Sequence, residues 1–88
     1  MQYDMKPIRL TRHAKLQALD RGASEAEIRQ AVLGGRRESA KKGRALCRYN
    51  MPFDADWGGK HYGVKQVAPV IKEEEEEIVV ITVYTFYF

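Results

Sequence analysis

At 88 residues the chain has room for one small domain spanning 1–88, with a core too small to leave much stability in reserve. A 44% hydrophobic share argues against disorder along the whole chain. Cys47, the sole cysteine, excludes an internal disulfide and a thiolate metal cluster and suits a reducing, cytoplasmic setting. The start Met1-Gln2-Tyr3-Asp4 lacks the apolar core of a secretory signal, and no apolar stretch reaches the length of a membrane span. The net charge of +3 conceals a division. Residues 1–50 carry 12 Lys and Arg against 5 Asp and Glu, while residues 51–88 carry 3 against 7. The first half is therefore equipped to attract a polyanion.

Residues 1–9, with Pro7, read as an extended lead-in that Ile8 or Leu10 pins to the core. Thr11 is a suitable N-cap for a helix running to about Asp20, with Leu10, Ala14 and Ala18 on one stripe and Leu16 and Leu19 widening it. Gly22 supplies a left-handed stop. Ser24-Glu25-Ala26-Glu27 is a capping box opening a second helix to about Leu33, with Ile28, Ala31, Val32 and Leu33 inward and Gly34-Gly35 ending it.

Arg36-Arg37-Glu38-Ser39-Ala40-Lys41-Lys42-Gly43 has the composition of a basic loop. From Arg44 the period changes to two, setting Ala45, Cys47, Tyr49 and Met51 on one face and Arg44, Leu46, Arg48 and Asn50 on the other. Pro52, Asp54, Asp56, Gly58 and Gly59 mark a turn. His61–Ile71 and Ile78–Phe86 read as two more strands joined by a turn within 72–77; a helix over 70–80 is the weaker alternative, because Ile78-Val79-Val80-Ile81-Thr82-Val83 is poor helical material. A symmetric hairpin would put Tyr62, Val64, Gln66, Ala68 and Val70 on the helix-covered face with Tyr87, Thr85, Val83, Ile81 and Val79. Lys65 beside Tyr84 and Val67 beside Thr82 would then face outward. Pro69 implies an edge position or a bulge. The expected fold is α+β: two helices on one face of a three-stranded antiparallel sheet, in the order α-α-β-β-β.

Leu10-Thr11-Arg12-His13-Ala14, followed by Arg21-Gly22-Ala23-Ser24, Glu27-Ile28 and Val32-Leu33, resembles the bacterial family catalogued as domain of unknown function 4258. Its members open with Thr-basic-His-Ala, continue to Glu-Arg-Gly-Ile-Ser and end in a Val-Val-Thr-Val-Tyr-like strand. Here Asp20-Arg21-Gly22-Ala23-Ser24 and Ile81-Thr82-Val83-Tyr84 fill the later places, so the likeness spans nearly the whole chain. Gln17 stands where members often carry a further arginine. The resemblance extends at the level of fold to small RelE-like and barnase-like toxins. It implies helices packed on one sheet face, an open face that cleaves RNA, and a neutralising protein partner.

Metal-independent RNA cleavage needs proton transfer to and from oxygen and cations around the phosphorane. The expected register gathers Arg44, Arg48, His61, Lys65 and Tyr84 on the open face. His13, Arg48, Lys65 and Tyr84 are accordingly the catalytic candidates, and Arg21, Arg36, Arg37, Lys41, Lys42, Arg44 and His61 the nucleic-acid-binding ones. His13, Gln17 and Arg21 form one i, i+4, i+8 ridge. Asp54, Asp56 and His61 lack a fixing metal-site spacing, no cofactor is called for, and the five glutamates are a solvated hairpin tip. Two readings follow: a ribonuclease or RNA-binding toxin-like domain, and a non-enzymatic module that docks a protein through the open face or last strand. The terminal Phe86-Tyr87-Phe88 gives the second some support.

Overall fold

The computed structural model describes residues 6–88. The first five residues of the expected lead-in, with the segment weighed as a secretory signal, lie outside the described residues. The elements run β1 (Ile8–Leu10), α1 (Arg12–Arg21), α2 (Glu25–Gly34), β2 (Arg36–Ala40), a 3₁₀ turn at Lys41–Gly43, β3 (Arg44–Trp57), β4 (Lys60–Glu73) and β5 (Ile78–Tyr87). The α+β class holds. The sheet, however, has five strands rather than three, ordered β1-β5-β4-β3-β2, and is mixed because β1 runs parallel to β5. Both added strands are short and lie at the edges. Arg36–Ala40 had looked like a loop because an edge strand with a solvated outer face needs no hydrophobic alternation.

Both helices start and stop as their local chemistry dictates. Thr11 Oγ1 accepts from the Ala14 amide at 3.1 Å, and Gly22 closes α1 at φ 78°. Both halves of the Ser24–Glu27 capping box form. Ala14 and Ala18 of α1 and Ile28, Ala31 and Val32 of α2 pack on Cys47, Val67, Ile71, Val80 and Val83, placing the core on one face of the sheet. The core stripe of α1 is narrower than expected. Leu16 and Leu19 remain 54% and 79% exposed, as does Leu33 of α2 at 56%, because two alanines already bring α1 down onto β5. Among the described residues no helix is long and apolar enough to cross a membrane.

The main correction concerns register. Lys65 pairs with Tyr87 and Val70 with Thr82, not with Tyr84 and Val79. A slip of three residues is odd, so it exchanges the faces of β4. Lys65, Val67, Pro69 and Ile71 lie under the helices, and Gln66 and Val70 face out. The ladder then shifts by one residue between Val70 and Ile71, leaving Ile81 as the extra residue of a bulge. Alternation along β5 is thereby reversed: Ile78 and Val80 point into the core before the bulge, and Val83 after it. Thr11, the α1 cap, donates to the bulged Ile81 carbonyl at 3.3 Å.

Pro69 sits inside the central strand β4, one residue from this shift, rather than at an edge. The β3–β4 ladder has no pairing between Leu46/Val70 and Tyr49/Val67, the stretch where Pro69 offers no amide. The expected turn over 52–59 is mostly strand. Its proline and first aspartate flank a bulge between Pro52 and Ala55, with Asp54 at φ 45°, and the chain reverses only at Gly58-Gly59.

Beyond Val80, where β1 ends, α1 takes over as the neighbour of β5. Gln17 Oε1 accepts from the Val83 amide at 3.0 Å, and an Arg21 guanidinium nitrogen donates to the Val83 carbonyl at 2.8 Å. Two side chains one helical turn apart thus replace a strand along an edge that would otherwise be unpaired.

Candidate nucleic-acid interface

The exchanged register removes Lys65 from the open face. The residue is 6% exposed, and its ammonium donates to the Gly22 carbonyl at 2.8 Å and to Glu27 at 2.9 Å. A cation here satisfies the carbonyl end of α1 and ties it to the first turn of α2. Thr85 and Tyr87 hydroxyls donate to the Arg21 carbonyl at 3.0 and 2.7 Å, completing the cap. Burial opposes ionisation of Glu27, but the Ser24 amide and the Lys65 ammonium outweigh it and hold the carboxyl below its ordinary range. Lys65 serves to join the two helices and is closed to substrate. Around it Phe53, Trp57 and Tyr62 gather on Tyr87, with ring centroids 5.2, 4.9 and 5.8 Å away.

His61 also departs from expectation. Its ring bridges Asp54, at 2.8 Å from Nε2, and Asp56, at 3.2 Å from Nδ1, near the β3–β4 turn. Among the described residues no group of three or more His, Cys, Asp or Glu side chains is placed to hold a metal ion. Arg37 lies on the helix side, where it donates to the Val32 carbonyl and pairs with Glu73 at 3.4 Å. Lys41 and Lys42 are exposed in the 3₁₀ turn, Lys42 at φ 62°. His13 is exposed in the first turn of α1.

What the open face does assemble is a row of polar and aromatic side chains across four strands. Arg36 and Glu38 come from β2, Arg48 and Asn50 from β3, Gln66 from β4, and Tyr84 and Phe86 from β5. Register explains the gathering: Arg36 is opposite Arg48, Asn50 opposite Gln66, and Gln66 opposite Phe86. Arg48 donates from Nε to Glu38 and from a terminal nitrogen to the Gln66 carbonyl oxygen, both at 2.9 Å. Gln66 Nε2 in turn donates to Asn50 Oδ1 at 2.7 Å. The Arg48 hydrogen bond, with help from Arg36, holds the Glu38 carboxyl below its usual range. Arg44 adds an Nε that is buried without a hydrogen-bond partner.

Tyr84 and Phe86 lie almost parallel, centroids 6.4 Å apart and planes inclined by 22°, and are 42% and 43% exposed. Arg21 stands 5.3 Å from the Tyr84 centroid and Arg48 5.7 Å from that of Phe86. Of the sequence-derived candidates, Arg21, Arg36, Arg48 and Tyr84 therefore meet at one surface. Phe86, Gln66, Asn50 and Glu38 belong with them. The i, i+2 spacing of Tyr84 and Phe86 was the available signal for the second ring.

No family model, curated protein or solved structure matches the chain. What this face binds is decided by its own chemistry. Flat exposed rings accept the faces of bases without regard to their edges, and guanidinium groups beside them accept phosphate.

Proposed function

We propose that the open sheet face binds single-stranded RNA, with bases stacked on Tyr84 and Phe86 and the phosphate backbone held by Arg21, Arg36 and Arg48. The observation that carries this reading is the pair of exposed, near-parallel rings, each with a guanidinium over it, on a sheet face that neither helix covers. Sheet surfaces that display aromatic rings in this way read unpaired bases by stacking. Binding is favoured over cleavage. Lys65 is committed beneath the helices, and neither Tyr84 nor Arg48 has a hydrogen-bonded histidine partner among the described residues.

Docking of a protein through the last strand fits less well, because Gln17 and Arg21 already occupy the backbone groups of Val83 on the outer edge of β5. A neutralising protein partner, if one exists, would have to use another surface or cover the rings.

The test is fluorescence anisotropy with a labelled oligouridylate, comparing the wild type with Tyr84→Ala and Phe86→Ala. Each loss of a stacking ring should weaken binding by about 5- to 150-fold, the equivalent of ~1–3 kcal/mol per base. Three arginine–phosphate contacts predict a slope of log affinity against log salt near about −2. Absence of binding at low salt, or binding indifferent to both substitutions, overturns the reading.

A further inference from the structure

We propose that Arg36 and Arg48, together with the cleft beside them, form a phosphodiester subsite whose two guanidinium groups Glu38 occupies, its carboxylate standing where a backbone phosphate of the RNA would sit; this rests on the RNA reading of the open face. One oxygen of Glu38 accepts from both guanidinium groups, from Arg36 at 3.2 Å and from Arg48 Nε at 2.9 Å. Beside them opens a cleft of about 310 Å³ lined by Arg36, Arg48, Tyr49, Asn50 and Gln66. That size is at the small end of ligand sites, room for a phosphate and its sugar.

The lining suits that occupant. Besides the two arginines it contains Asn50 and Gln66, neutral amides able to donate to non-bridging or sugar oxygens. Gln66 spends one amide hydrogen on Asn50, so its second and both of those on Asn50 are left for a ligand. The site adjoins Phe86, whose ring centroid is 5.7 Å from the Arg48 guanidinium, so a phosphate in the cleft is one short step from a base on the exposed part of the ring.

Glu38 is a displaceable occupant. Its side chain is 39% exposed and stands on an edge strand, where ion pairs are weak and readily exchanged for water or a competing anion. A phosphodiester offers two charged oxygens to a pair of guanidinium groups that now share a single carboxylate oxygen, so it can make the bidentate contacts Glu38 does not. The carboxylate thus raises the threshold for anion entry while keeping both arginines extended toward the cleft.

The experiment compares the wild type with Glu38→Gln in two titrations. In the first, inorganic phosphate is added while the arginine Nε–H resonances are followed by NMR. In the second, oligouridylate is bound by anisotropy over a range of salt. Glu38→Gln should bind both probes about 5- to 10-fold more tightly, because no carboxylate then competes with phosphate for Arg36 and Arg48. Arg48→Gln added to Glu38→Gln should abolish the gain. Unchanged or weaker phosphate and RNA binding in Glu38→Gln, in a protein of native circular dichroism, overturns the proposal. The two readings fail separately. Tighter phosphate binding with no RNA binding in either protein would retain the anion cleft and discard RNA as its ligand. Equal RNA binding by both proteins would retain the stacking platform and discard the role of Glu38.

Discussion

Replacing Lys65 by Met tests the exchanged sheet register directly. The substitution keeps the apolar stem that packs under the helices and removes the ammonium that serves Gly22 and Glu27. Breaking a fully buried ion pair costs roughly 3–5 kcal/mol. Here Glu27 is 27% exposed and keeps the Ser24 amide, so the loss should be smaller, about 2–3 kcal/mol, of which ~1 belongs to the orphaned Gly22 carbonyl. Against a total of about 4–13 kcal/mol for a chain of this length, that lowers Tm by roughly 10–20 °C.

The pH dependence carries a second signature. The folded-state pKa of Glu27 is depressed below its ordinary value of 4.5. Its contribution is therefore fully present above about pH 4.5 and is lost as pH falls through the folded value. Urea titrations should show wild type and Lys65→Met far apart at pH 7 and converging in acid. Equal stability at pH 7 would refute the placement of Lys65, and more so if Lys65→Met also lost RNA binding, since the ammonium would then be at the surface.

Substitutions at two further positions and one labelling experiment probe the packing elsewhere. Gly22→Ala places a methyl group within 2.7–2.9 Å of the Tyr87 hydroxyl and the Trp57 ring at φ +78°; it should cost about 2–4 kcal/mol in urea unfolding and shift Trp57 emission, whereas a neutral result would mean the junction is looser than described. Gln17→Ala leaves the Val83 amide without its acceptor, so about 1–2 kcal/mol should be lost and hydrogen exchange at Val83 should accelerate, while Gln17→Glu, which keeps an acceptor, should preserve protection. Cys47 is fully buried and burial pushes its thiol pKa up, so a thiol reagent should modify it only as fast as the protein unfolds; rapid labelling of the native protein would contradict its place in the core.

Signals confined to a few neighbouring residues were the legible ones. Thr11, Gly22, Ser24 and Glu27 bound their helices as local capping chemistry requires, and the period-two run from Ala45 to Met51 faces the helices as expected. What escaped depends on long-range pairing. β1 and β2 exist because β5 and β3 present edges to them, a fact no local pattern in Ile8–Leu10 or Arg36–Ala40 contains. The faces of β4 were inverted because symmetric closure of the glutamate loop was assumed, whereas its turn is off-centre and is followed by a bulge. The candidate site inherited that error through Lys65. Arg48 and Tyr84 were placed correctly, since the first follows the β3 alternation and the second shares the outward phase of Phe86. Gln17, which stands where members of the resembled family often carry an arginine, is a backbone acceptor at the sheet edge.

Ile81 gives β5 a change of phase that outlasts the local kink. On its N-terminal side even-numbered positions point to the core, and on its C-terminal side odd-numbered ones do. A deletion at Ile81 would remove the bulge and let one alternation run through the strand, with Val83 still inward and Tyr84 and Phe86 still outward, whereas pairing that kept Ile81 in a regular ladder would turn both rings inward. The same offset matters when this strand is aligned with any other. Residues matched by simple counting agree on one side of Ile81 and describe opposite surfaces on the other, and a single gap at that position carries more structural meaning than several substitutions around it.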